Sequence, residues 1–263
     1  MKRIARVLAG LFLAWIAVLF VLGFVLAGSA ADKVTRRMTD TLQAQATLGD
    51  HSLRLVFGSF TFEKLSVRRN DVTGQLVLEV GEVDCDLPPL GLALVDRSCG
   101  ELAVKDIKLE LTTVALFKLQ RPKSTPFSAD HVVVDNADLA FSPSAFLPGL
   151  GKIHILIDHA EAGPTTFKTP LSWLFSLEEL RATLDLPAGI TLNITYANGK
   201  LVAAGSLFGS TPVEVPLALP KLDSADDAQA EIKKLGAFGK DLAEQLVAQK
   251  AEDWLIKKLP SLP

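Results

Sequence analysis

The sequence predicts a mainly β protein: a curved antiparallel sheet of bulged, repeating strands, with one N-terminal transmembrane helix and one C-terminal amphipathic helix. Three observations lead to this. An unbroken run of 25 uncharged residues extends from Val7 to Ala31. Beyond Asp50 the apolar residues alternate with period two, in three segments that share one spacing. From Ser224 the spacing returns to that of an amphipathic helix. The 263 residues divide accordingly into an anchor at 1–31, a juxtamembrane helical stalk at 32–50, a β-sheet domain at 51–222 and a C-terminal helix at 223–263.

The run from Val7 to Ala31 is long enough to cross a bilayer, since about 20 helical residues span a hydrocarbon core of ~30 Å. Lys2, Arg3 and Arg6 precede it and by the positive-inside rule stay cytoplasmic, which sends the body across the membrane. Lys33, Arg36 and Arg37 on the far side weaken that bias without reversing it. Ser29-Ala30-Ala31 before Asp32 offers the small residues of a signal-peptidase site, so a cleaved signal is the competing reading. The apolar run exceeds the ~7–15 residues of a signal core, which favours an anchor. Either way the body is extracytoplasmic. In the stalk, Val34, Met38 and Leu42 keep helical spacing, and Gly49-Asp50 is the expected stop.

The β-domain opens with Leu53, Leu55 and Phe57, and a weak repeat follows. Gly58 is followed at offsets +2, +4, +7 and +9 by Phe60, Phe62, Leu65 and Val67. Gly100 is followed at the same offsets by Leu102, Val104, Ile107 and Leu109, and Asp130 by Val132, Val134, Ala137 and Leu139. The step from +4 to +7 changes phase once, so a straight strand would turn its second half to the opposite face. The pairs at the step, Glu63-Lys64, Lys105-Asp106 and Asp135-Asn136, are polar. A β-bulge there keeps one face apolar throughout and adds curvature. Two-residue hairpin turns are the alternative, weakened because none of the pairs contains glycine. A similar phase change crosses Gly81, between Leu76, Leu78, Val80 and Val83, Cys85, Leu87.

Further strands are expected at Lys152–Asp158, Ile190–Tyr196 and Leu201–Leu207, the last two joined by Asn198-Gly199, a strong hairpin signal. Pro170 to Ser176 reads as a short helix or a loop laid over the sheet. Cys85 and Cys99 flank a turn-rich stretch, either as a disulfide or as two small buried apolar side chains. In the C-terminal helix Ser224 and Asp227 have capping-box spacing, Lys257 and Lys258 suit the far end of the dipole, and Pro260 stops it. Its stripe of Ile232, Leu235, Phe238, Leu242, Leu246, Trp254 and Leu255 packs onto the sheet or lies on a membrane surface or partner.

The chemistry implied is sparse. With 27 basic and 30 acidic residues the net charge is −3, and no basic stripe marks a nucleic-acid surface. His154, Asp158 and His159, with His131, raise the question of a metal site. In a regular strand His154 and Asp158 share a face while His159 points away, so they do not converge. Gly149-Leu-Gly-Lys152 lacks the Ser or Thr and the following helix of a phosphate loop. No nucleophile elbow, zinc-helix motif or dinucleotide fingerprint occurs, so a non-enzymatic protein without cofactor or metal is expected.

The anchor Val7 to Ala31, the run from Leu87 to Val95 leading into Gly100–Leu111, and Val132–Phe141 together resemble the periplasmic AsmA-like family, relatives of TamB and the bridge-like lipid-transfer proteins. The resemblance covers about Leu53 to Phe141 plus the anchor. It implies a bent sheet whose concave face is apolar and holds lipid acyl chains, in a protein of the inner membrane with its body in the periplasm. Phe60, Phe62, Leu102, Val104, Val132 and Val134 are then the candidate groove lining, and membrane lipid the expected partner. The same residues would serve an ordinary closed core, in which case a structural protein that binds an envelope protein partner is the alternative.

Overall fold

The structure is a computed structural model. It describes residues 2–42, 44–71, 74–89, 98–112, 127–142, 152–167, 172–187, 189–205 and 212–221, then 230, 233–234, 237–238, 241–242 and 244–245. Gly149 and Gly151, the capping box at Ser224, and Ile232, Leu235, Leu246, Trp254 and Leu255 lie outside the described residues.

A long helix, α1 (Lys2–Leu42), leads into twelve strands. These are β1 (Gln45–Thr47), β2 (His51–Arg54), β3 (Ser59–Asp71), β4 (Gly74–Asp86), β5 (Ser98–Thr112), β6 (Phe127–Ser142), β7 (Ile153–Ala162), β8 (Thr165–Phe167), β9 (Leu177–Leu186), β10 (Ile190–Ala197), β11 (Lys200–Gly205) and β12 (Val213–Pro216). All belong to one open sheet in the order β1-β3-β4-β5-β6-β7-β9-β10-β11-β12, with β2 also paired to β3 and β8 to β6.

The sheet is mixed where an antiparallel one was expected, because β5 and β6 run parallel. Fourteen residues, 113–126, separate them. That is the dozen or more a chain needs to return along a strand and start again at the same end. The expected strand at Lys152–Asp158 runs on to Ala162 as β7, and β8, β9 and β12 lie where no strand was expected. Asn198 (φ 53°) and Gly199 (φ 71°) form the tight turn between β10 and β11, as their sequence requires. Ser172–Ser176 is a short 3₁₀ helix that buries Ser172 and Trp173.

The helical stalk to Asp50 is corrected. α1 ends at Leu42, and Gln45–Thr47 is instead β1, hydrogen-bonded to Ser66–Arg68 of β3. Polar residues with spaced apolar ones suited a helix, but the open edge of β3 captures them. α1 itself bends by 43° between Leu13–Gly23 and Leu26–Asp40. Among the described residues no single helix is long and apolar enough to cross a membrane, although those two segments pass that test together. Buried Leu19, Gly23, Ala27 and Ala31 recur every four residues and form the stripe of α1 that packs on the sheet. Gly23 is required there, since a Cβ would sit 2.6 Å from the Leu53 carbonyl oxygen of β2.

Candidate functional site: a creased sheet with one apolar face

The repeat found in the sequence is a structural one. Each copy is a single continuous strand, β3, β5 or β6, with no hairpin turn at the polar pair. The three copies run in the same direction, so equivalent residues fall into rows across the sheet. Phe60 pairs with Cys85, Cys85 with Leu102, Leu102 with Val132, and Val132 with Ala162. The next row is Phe62, Val83, Val104, Val134, Ala160, Leu180, Tyr196 and Leu201, and a third runs Leu65, Val80, Ile107, Ala137, Ile157, Ala182, Ile194 and Ala203.

Between the second and third rows the pairing skips one residue on every strand from β3 to β7. The skipped residues are Lys64, Gly81, Asp106, Asn136 and Asp158. Lys64, Asp106 and Asn136 are left-handed, with φ of 57°, 55° and 55°. One left-handed residue takes up the odd step, so alternation resumes on the same face. A bulge sets two residues against one. Here the skip is matched one for one from β3 through β7, so the irregularity is a crease running across the sheet. Only at its end is it one-sided: Ile157 and His159 pair with the adjacent Ala182 and Arg181 of β9, leaving Asp158 extra.

Local chemistry explains why these residue types occupy the crease. Asn and Asp tolerate the left-handed region better than other non-glycine residues, and Asn136 Nδ2 donates to Asp106 Oδ1 at 3.3 Å. Gly81 lets β4 approach β5, because a Cβ would lie 2.8 Å from the Asp106 Cβ. At the sheet edge, β1 and β2 part at the same level. Gly49 N donates to the Glu63 carbonyl at 3.2 Å, and Glu63 N donates to that of Asp50 at 2.8 Å. Gly49-Asp50, read as a helix stop, is therefore where the crease meets the edge.

The six candidate lining residues come together on the apolar face in two adjacent rows, Phe60, Leu102, Val132 and Phe62, Val104, Val134. Phe60 and Phe62 have ring centroids 5.6 Å apart. Their exposure differs: Val132 and Val134 are 1% and 2% exposed, while Phe60, Phe62, Leu102 and Val104 are half-buried. Trp173, Leu217 and Leu219 join the larger core cluster on this face, as do Phe238 and Leu242 from the C-terminal segment, whose described residues are helical. A second cluster, around Leu65, Val67, Val80 and Val83, takes in Met38 of α1 and Ala46 of β1. Cys85 and Cys99 are joined, with an S–S distance of 2.03 Å and Cα atoms 5.6 Å apart, and tie the end of β4 to the start of β5.

The opposite face is polar. The crease at Asp158 puts His154 and His159 on this same face, which corrects the expectation that they point apart. His159 Nδ1 lies 2.6 Å from Asp135 Oδ1 and its Nε2 3.1 Å from Glu161 Oε1, so a protonated ring donates to both carboxylates. Glu161 also lies 3.8 Å from Nε2 of His131, whose Nδ1 is 3.3 Å from Glu101 Oε2. His154 pairs separately with Asp138 at 3.6 Å. The hydrogen bond to Asp135 holds the His159 pKa above its ordinary value, with burial opposing it and Glu161 assisting. Sequence reasoning missed the convergence of His131 and His159 on Glu161, for which Asp158 at the phase change was the available signal. Among the described residues no group of three or more His, Cys, Asp or Glu suits a metal ion.

The fold is thus one open, mixed twelve-stranded sheet with an apolar and a polar face. No model of a known protein family matches the chain, and no curated protein matches it.

Proposed function

We propose that this chain is a non-enzymatic, membrane-anchored envelope protein that handles lipid through the apolar face of its sheet. In this reading α1 tethers the protein to the inner membrane and the sheet stands in the periplasm. One observation carries the proposal: the crease keeps apolar rows continuous on one face across many strands, although each creased strand changes phase there.

A packed domain usually sets a second layer against such a face. The half-buried state of Phe60 and Phe62, on β3, which touches α1, and of Leu102 and Val104, on β5 two strands further in, supports a surface that accepts acyl chains beside the membrane. Curvature of the creased strands and kinship with the AsmA-like family belong to the same proposal. The alternative of a protein partner adding to the sheet edge has less support. Among the described residues the far edge is β12, only four residues long and ending in Pro216, and short proline-bearing edges resist strand addition.

The test is purification of the full chain in mild detergent, mass spectrometry of co-purifying lipid, and titration with a fluorescent fatty-acid probe. Bound phospholipid and saturable probe binding are expected, with Val104→Glu folding but losing both. No lipid and no probe binding by the folded wild type would overturn the reading.

A further inference from the structure

We infer that the turn between β2 and β3 is a second membrane contact, with Phe57 inserted into the outer leaflet beside α1. The inference rests on the proposed anchoring by α1 and locates where the sheet meets the lipid.

Exposed large hydrophobic side chains are concentrated in one place. Among the described residues they are Leu13, Trp15, Val18, Phe20 and Val21 of α1, Phe57 of the turn, and Leu156 alone elsewhere. Phe57 is 69% exposed although it stands against Phe20, with ring centroids 6.2 Å apart in an edge-to-face arrangement. The turn is pinned. Phe57 N and Gly58 N both donate to the Arg54 carbonyl, at 3.1 and 2.8 Å, and Leu87 N donates to that of Gly58 at 2.7 Å. Gly58 has φ 71°, and a Cβ there would lie 2.1 Å from the Leu87 carbonyl oxygen. A fixed turn thus presents an exposed phenyl ring on the apolar flank of α1, an arrangement costly in water and favourable in lipid.

The position along α1 gives the depth. Among the described side chains of α1, the exposed ones from Leu13 to Val21 are apolar, and from Ser29 they include Asp32, Lys33 and Arg36. The water boundary on the helix therefore falls between Val21 and Ser29, the stretch that also contains the 43° bend. At 1.5 Å rise per residue, the level of Phe20 lies about 2 to 14 Å on the apolar side of that boundary. This range includes the ~5–10 Å to which interfacial elements bury their apolar face. β2 runs down α1 in order, with Leu53 against Gly23 and Phe57 against Phe20. Arg54 thereby falls near the boundary, where a long cationic side chain reaches headgroups.

The experiment places an environment-sensitive NBD label on Phe57→Cys in the full chain, reconstituted into vesicles of phosphatidylcholine and phosphatidylglycerol. Both native cysteines are held in the disulfide. Val21→Cys on α1 and Gln75→Cys at the far end of the sheet are the references, and probes are aqueous dithionite and nitroxide-bearing phospholipid. The label at 57 should resist dithionite and be quenched by the lipid nitroxide, as at 21, while the label at 75 reacts with dithionite. A label at 57 that behaves like 75 while 21 contacts lipid overturns the inference and leaves the anchor standing. Labels at both 21 and 57 in water overturn the anchor and the inference together. Circular dichroism of each labelled protein verifies folding, which an exposed turn position is expected to preserve.

Discussion

Strands β3 to β7 and strands β9 to β11 solve the same problem in two ways. Both groups keep apolar residues on one face of the sheet. β9 to β11 are 6 to 10 residues long and do it by plain alternation, as in Leu180, Ala182, Leu184 or Leu192, Ile194, Tyr196. β3 to β6 are 13 to 16 residues long and change phase at the crease, at a residue the pairing skips, and β5 and β6 skip a second pair, Gly100 and Asp130, near their starts. The two regimes meet at Asp158, where a one-sided bulge absorbs the extra residue. The lesson is that a phase error in one strand is harmless when every neighbour makes the same error at the same level. The crease is thus a collective property of five strands, and its residues are coupled.

The strongest way to break that comparison is to put one strand out of step with its neighbours. Inserting one alanine after Asn136 would turn Ala137, Leu139 and Phe141 to the polar face and Asp138 to the apolar one. The cost is expected to exceed the ~5–15 kcal/mol net stability of a domain. Urea unfolding followed by tryptophan fluorescence should show no cooperative transition. A cooperative transition near that of wild type would mean the rows are not fixed by the crease.

Gly81→Ala should cost about 1–3 kcal/mol, since its methyl would meet the Asp106 Cβ at 2.8 Å. Adding Asp106→Gly removes the obstructing atom and should recover most of the loss, a non-additivity of ~1 kcal/mol or more in a double-mutant cycle. Simple additivity of the two effects would argue against coupling across β4 and β5.

Glycine itself distinguishes the two regions. Lys64→Gly relieves a left-handed residue worth ~1–2 kcal/mol, partly offset by the entropy of glycine, so stability should rise by up to about 1 kcal/mol. Thr195→Gly, exposed in the straight strand β10, should lower it by about as much. Urea midpoints moving in the same direction would contradict the contrast.

The smallest effect is that of pH on the polar face. The His159 pKa is raised in the folded state, so its contribution to stability is fully present below the unfolded value of ~6.5 and is lost as pH rises through the folded value. The stability difference between wild type and His159→Gln should shrink across that interval. A difference that is flat or grows with pH would remove the Asp135 and Glu161 pairs as its cause.

Much of this was legible in the sequence, and what was not has a physical reason. The spacing after Gly58, Gly100 and Asp130 marked three equivalent strands and the residues at which they change phase, because burial on one face imposes period two. The parallel pairing of β5 and β6 was not legible, since alternation is indifferent to strand direction. β1 was read as helix because three residues carry too little pattern to outweigh the capture of Gln45–Thr47 by an open edge. β9 was missed because Leu177–Leu186 mixes charged and apolar residues behind a Trp- and Phe-bearing turn. The convergence of His131 and His159 on Glu161 depends on the crease at Asp158, which regular alternation does not foresee.

The central claim is that the apolar face near Val104 holds lipid. The most direct measurement is site-specific photocross-linking, with a benzophenone side chain at position 104 in the full chain, irradiated in native membranes and analysed by mass spectrometry. A second benzophenone at Glu82, on the polar face, is the control. The account predicts phospholipid adducts at 104 and none at 82. Adducts at 104 confined to the chain's own C-terminal residues would show a closed core and contradict it.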